Sequence, residues 1–204
     1  PGGLGHANVL ASVVFAGMSG SAVADAAGLG SIEIRAMEDA GFDKDFSAAI
    51  TAASSTIGPI IPPSIPLVVY ACVASNVSVS NLLIGGLVPG ILMAIGLCIA
   101  VYIISIKRNY PKMPFPKLGS IWADFRSAFL SLLTPVILIG GMLSGVFTAT
   151  EAAVVSALYA FFLTVFFYKE VKISQLYGII VETARESAGI LFIVCISNMY
   201  GYLL

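Results

Sequence analysis

No Asp, Glu, Lys or Arg occurs from Phe46 to Ile106, from Ser127 to Thr150, from Ala152 to Tyr168 or from Ser187 to Leu204. About 20 consecutive apolar residues suffice to cross the hydrocarbon core of a bilayer. The chain is 58% hydrophobic and 10% charged, against about 25% charged in ordinary soluble domains. Too little polar surface remains for a soluble fold. These runs predict an all-α polytopic membrane protein, embedded in a lipid bilayer.

The formal net charge of −1 and the scatter of the ten basic residues give no polyanion-binding stripe, so no nucleic-acid partner is expected. Cys72, Cys98 and Cys195 stand alone in apolar segments and read as packing residues, with no transition-metal site. The chain opens at Pro1-Gly2-Gly3 and ends at Leu204 within an uncharged run, and is read as a piece of a longer polypeptide.

Residues 1–106 divide into a hairpin over about 5–40, a broken helix over about 46–75 and a span over 82–106. In the hairpin, the apolar arm Ala7 to Met18 is too short to span, and Ser19-Gly20-Ser21 forms a small polar tip before the chain returns. Such a re-entrant element is stable only when buried in protein or lining a wet cavity. Pro59, Pro62 and Pro63 remove backbone donors and clash with the preceding turn, so the helix over 46–75 breaks around Gly58 to Pro63. Residues 107–127 form a polar connection with a surface-lying helix over Leu118 to Phe129, where Ile121, Trp122, Phe125 and Phe129 share a face. Residues 128–204 hold spans over about 128–145, 152–168 and 187–204, with Ile173 to Glu186 again interfacial. With the hairpin ends in the cytoplasm, all ten Lys and Arg residues fall on that one side, as the positive-inside rule requires.

Two helix interruptions at membrane depth, both rich in hydroxyls, suggest a cation site. A half-helix C-terminus offers unpaired carbonyls at its negative end, and Na⁺ favours oxygen ligands. The candidates are Ser19, Gly20, Ser21, Ser54, Ser55, Thr56 and Gly58, with carbonyls near Gly17, Met18 and Ser54. The following half-helices start near Ser21 and Ser64, so their N-terminal amides are expected to meet a substrate carboxylate, and Ser21, Pro62, Pro63 and Ser64 are the residues expected to face the substrate. The alternative is that Ser and Gly merely permit close helix packing.

Asp25 is the acid nearest the hairpin tip, and two readings stand: partner of a helix dipole, or proton or ion relay. Thr148 and Glu151 fit a capping box, with a functional role as the lesser reading. The lone His6 reads as a satisfied polar residue rather than a ligand. Gly17-Met18-Ser19-Gly20 spells the Gly-x-Ser-Gly of rhomboid-type intramembrane proteases, but a nucleophilic serine needs a base, and His6 lies on the same helical arm. No catalytic residue is assigned. A non-transporting membrane scaffold is the other competing reading.

Several blocks resemble the large membrane subunit of the tripartite ATP-independent periplasmic (TRAP) transporters of bacteria and archaea. They are Gly2 to Val9, Phe15 to Asp25, Ser55 to Ser64 and Gly145 to Ala153, in the family's order and across most of the chain. Ala149 replaces the proline that the family carries between its two threonines. The resemblance implies a multi-pass protein of the cytoplasmic (inner) membrane, built of inverted repeats and moving substrate by an elevator mechanism. It implies symport of an organic acid, such as a dicarboxylate, with sodium as coupling ion and no other cofactor. It also implies two partners, a small membrane subunit and a periplasmic substrate-binding protein. The second hairpin and its broken helix would lie beyond Leu204, leaving half of the site in this chain.

Overall fold

The computed structural model describes residues 1–74, 76–111 and 118–203. All the regular structure in them is helical: α1 (Gly3–Ser19), α2 (Ala22–Gly28), α3 (Gly30–Asp39), α4 (Lys44–Ser55), α5 (Ile65–Val73), α6 (Val79–Lys107), α7 (Leu118–Leu143), α8 (Ala149–Phe162) and α9 (Ile173–Leu203). A π-helical turn, Leu163–Phe167, extends α8.

The hairpin leaves through α1 and returns through α2 and α3, which join at Gly28-Leu29-Gly30. At 17 residues α1 is longer than the apolar stretch Ala7 to Met18, yet it reaches only about 25 Å. The broken helix consists of α4 and α5, with a non-helical stretch from Thr56 to Ser64 that includes a cis Pro62-Pro63 bond. Ser64 restarts the helix by accepting a hydrogen bond from the Leu67 amide at 3.2 Å, and Pro66 in the first turn sacrifices no donor that a helix needs.

Small residues set the packing. A Cβ at Gly5 would lie 2.8 Å from Val101 of α6, and one at Gly86 would lie 2.3 Å from the carbonyl oxygen of Ile60 in the break. Among apolar helices such close approach, rather than escape from water, drives association. Val9, Ile50, Ile57, Ile61 and Val101 form the main core between α1, α4, the break and α6. A smaller core joins Leu83, Met142 and Ala152. Outside these cores the helices show apolar side chains, including Leu92, Ile99, Leu158, Phe162, Leu191 and Phe192. Val79–Lys107 and Ala149–Phe167 are long and apolar enough to cross a membrane.

Two expected boundaries are absent. The surface helix over 118–129 and the span over 128–145 are one helix, α7, and the interfacial segment 173–186 and the span over 187–204 are likewise one helix, α9. Arg126, Glu182, Arg185 and Glu186 read as interfaces because they are charged, but they are good helix formers with no proline or glycine pair beside them to stop the chain. The aromatic stripe expected before α7's apolar half exists: Trp122 stacks on Phe125 with centroids 6.0 Å apart, and Phe125 meets Phe129 at a tilt with centroids 5.8 Å apart. The Ile121 side chain and residues 112–117 of the connection lie outside the described set.

Candidate functional site

The hairpin tip rests on the helix break. Gly20 has φ +62°, a left-handed conformation that glycine adopts without cost, and a Cβ there would stand 1.7 Å from the Pro63 carbonyl oxygen. From the other side, a Cβ on Gly58 would lie 3.2 Å from the Ser21 carbonyl carbon. Glycine is required at Gly20, and at Gly58 a side chain would be tight. The C-termini of α1 and α4 and the start of α5 thus converge, bringing two negative dipole ends to a helix start where the Ser64 and Ile65 amides are open, Pro66 has none and the Leu67 amide is held by Ser64.

The depth of this junction follows from α6, against which the break packs. Ile60 and Ile61 contact α6 at Gly86 and Gly90, about 10–16 Å from its start and about 26–32 Å from its end. The opposite ends of α1, α4 and α6 also meet, since Gly2 abuts Ser105 and Arg108 bonds Asp43. The junction is therefore well inside the bundle's height.

Carbonyl oxygens supply most of the junction's polarity. Tight turns pair the Thr56, Ile57 and Gly58 amides with the carbonyls of Ala53, Ser54 and Ser55 at 3.3, 3.0 and 3.1 Å. The Ser54 and Ser55 carbonyl oxygens retain a second lone pair, whereas the Ala53 oxygen also accepts from the Thr56 hydroxyl. Ser55 Oγ donates to the Thr51 carbonyl at 2.8 Å and Thr56 Oγ1 to the Ala53 carbonyl at 2.6 Å, so both hydroxyl oxygens also keep lone pairs. At the tip, Ser19 Oγ accepts from the Ser21 amide at 3.4 Å, and Ser21 Oγ caps α2 by accepting from the Ala24 amide at 3.3 Å. Ser64 Oγ donates to the Pro59 carbonyl, and Pro62 and Ser64 are buried beneath the junction.

Ser54 differs from the other members of the expected set. Its hydroxyl turns away from the break into the α1–α4 interface, donating to Asn8 Oδ1 (2.9 Å) or the Thr51 carbonyl (3.0 Å) and accepting from Ser12 Oγ (3.0 Å). Its carbonyl, not its hydroxyl, belongs to the junction. The Asn8 side chain continues this network by donating to Thr51 and to Glu33 of α3. Sequence reasoning missed Asn8, Ser12, Glu33 and Thr51. The available signal was polar spacing in otherwise apolar helices: Asn8 and Ser12 four apart, with Ser47, Thr51, Ser54 and Ser55 at helical intervals.

Asp25 lies in the first turn of α2, 2% exposed, and among the described residues neither carboxylate oxygen has a hydrogen-bond partner. Thr148 and Glu151 stand apart from the junction and form the expected capping box: Glu151 Oε2 accepts from the Thr148 amide at 2.9 Å, and Thr148 Oγ1 from the Glu151 amide at 3.3 Å. His6 lines an apolar cavity of about 480 Å3 between α1 and α6, with Leu10, Ile95 and Tyr102. It is about 20 Å along α1 from Ser19, beyond proton transfer.

A family model described as "Tripartite ATP-independent periplasmic transporter, DctM component" matches residues 1–204. The sialic acid TRAP transporter large permease protein of Vibrio cholerae is 46% identical over 202 residues, covering 99% of this chain and 47% of that protein. The C4-dicarboxylate TRAP transporter large permease protein of Pseudomonas aeruginosa is 39% identical over 203 residues, covering 100% and 47%. The 2,3-diketo-L-gulonate TRAP transporter large permease protein of Escherichia coli is 35% identical over 204 residues, covering 100% and 48%. The chain spans about half the length of these relatives.

Proposed function

The chain belongs to the DctM family of TRAP transporter large permeases, and from that premise we propose that it carries one half of the transport site of a sodium-coupled importer of organic acids. The observation that carries this reading is the contact of Gly20 and Ser21 with Pro63 and Gly58, which gathers carbonyl and hydroxyl oxygens inside the bundle. Na⁺ would sit against the Ser19-Gly20-Ser21 tip, the carbonyls ending α4, and the Ser55 and Thr56 hydroxyls. Asp25, buried and without a hydrogen-bond partner among the described residues, would compensate the ion's charge. The Ser64 and Ile65 amides opening α5 would meet the substrate's carboxylate beside the bound cation.

The substrates in the relatives' names, sialic acid, C4-dicarboxylates and diketogulonate, are all carboxylates. That chemistry suits a site with backbone amides and a cation but no Lys or Arg from Phe46 to Ile106. In this reading a periplasmic binding protein delivers the acid, and a small membrane subunit completes the assembly in the bacterial or archaeal inner membrane. The hairpin and broken helix move together as part of an elevator.

The test is uptake of sialic acid and C4-dicarboxylates by the full-length permease with its partners in proteoliposomes. Uptake should require an inward sodium gradient, and Ser21→Ala combined with Thr56→Ala should raise the half-saturating sodium concentration about tenfold or more. Uptake indifferent to sodium, or unchanged in that variant, would refute the assignment.

A further inference from the structure

Asn8 is 2% exposed, and it stands about 16 Å along α1 from Ser19. It cannot touch an ion at the junction. Its side chain nevertheless joins three helices: Nδ2 donates to Glu33 Oε2 at 2.8 Å and to Thr51 Oγ1 at 2.7 Å, and Oδ1 accepts from Ser54 Oγ at 2.9 Å. Ser12, one turn further along α1, donates to the same Ser54 oxygen at 3.0 Å. The amide is oriented with Nδ2 toward two acceptors, Glu33 Oε2 and Thr51 Oγ1, and Oδ1 toward the Ser54 hydroxyl.

Apolar contacts alone would let α4 rotate or slide against α1 at little cost. A network whose members are satisfied in one arrangement prevents this, because any other leaves the buried polar groups of Asn8, Ser12, Thr51 and Ser54 unpaired, with Glu33 half-buried at its edge. Ser54 is where the network meets the junction, as its carbonyl receives the Ile57 amide in the first turn of the break. Turning α4 by one residue, about 100°, would pull Ser54 off Asn8 and swing the terminal carbonyls away from the tip.

We propose that Asn8 is a positioning residue for the ion site: it fixes the rotation of α4 relative to both arms of the hairpin, so that the α4 carbonyls face Gly20 and Ser21 before an ion arrives. This inference rests on the sodium-coupled reading above.

The experiment is a sodium-activation curve for uptake by the full-length permease reconstituted with its partners. Asn8→Asp, which sets a carboxylate against Glu33, should raise the half-saturating sodium concentration about tenfold or more, the range seen when outer partners of ion ligands are removed. The rate at saturating sodium should change little. Adding Glu33→Gln restores a donor between positions 8 and 33 and should return half-saturation toward the wild-type value. A merely structural role would lower the amount or rate of uptake without moving half-saturation, and that result overturns the inference. If Asn8→Asp does not reach the membrane, Ser12→Ala decides the matter: a smaller upward shift supports the role, and an unshifted curve overturns it. Sodium-indifferent uptake by the wild type would overturn the transport reading itself, whereas a sodium-dependent wild type with unshifted variants would overturn only the role of Asn8.

Discussion

Ser54 and Ser55 are adjacent and equally buried, yet rotation about α4 separates their tasks. Ser54 points its hydroxyl at Asn8 and Ser12, while Ser55 donates backwards to Thr51 and leaves oxygen lone pairs near the break. Asp25 is the residue whose energetics demand a partner. A buried carboxylate without a hydrogen bond costs folding free energy unless a counter-charge or proton compensates it. Asp25→Asn should therefore raise the apparent melting temperature of the full-length permease in sodium-free detergent. The same substitution should remove most of the rise that sodium produces in the wild type. An equal fall with and without sodium would assign Asp25 a purely structural role.

At the scale of elements, the ends of α4 and α6 opposite the junction are clasped by Asp43, Arg108 and Tyr110. Arg108 Nη1 and Tyr110 Oη each donate to Asp43 Oδ2 at 2.7 Å, and the Tyr110 ring packs on Phe42 and Phe46. The Tyr110 hydroxyl and then the Arg108 guanidinium hold the Asp43 carboxyl below its ordinary value. A lowered folded pKa means that this stabilisation is complete above the unfolded value of about 3.9 and is lost as pH falls through the folded one. The melting difference between wild type and Asp43→Asn should thus be constant above about pH 5 and close below about pH 4. It should be small, because both charges are half-exposed. A difference that widens on acidification would contradict the clasp.

What was legible in the sequence at this scale was what local chemistry imposes. Pro59, Pro62 and Pro63, clustered within one turn of each other, interrupt the helix where the single Pro89 and Pro135 do not, and Thr148 with Glu151 caps one by spacing alone. The continuity of α7 and α9 was not legible, because charges such as Arg126 and Glu182 mark polarity without ending a helix. Nor was the Asn8 network, which pairs positions 25 to 46 residues apart and depends on how helices rotate when packed.

At the scale of the whole molecule, one hairpin and one broken helix meet tip to break in a chain about half the length of its relatives. The apolar faces of α6, α8 and α9 are suited to lipid and to other protein helices. The central claim is that the tip and the break together bind the coupling ion, and Gly20 is where that claim is most exposed. A side chain at Gly20 must push the tip from Pro63, and the left-handed backbone adds about 1–2 kcal/mol of strain for alanine. The decisive measurement is equilibrium binding of radiolabelled sodium to the full-length permease, wild type against Gly20→Ala. Saturable binding by the wild type, weakened about tenfold or more in a variant that still folds, is the predicted result. Equal sodium affinity in the two proteins would contradict the account.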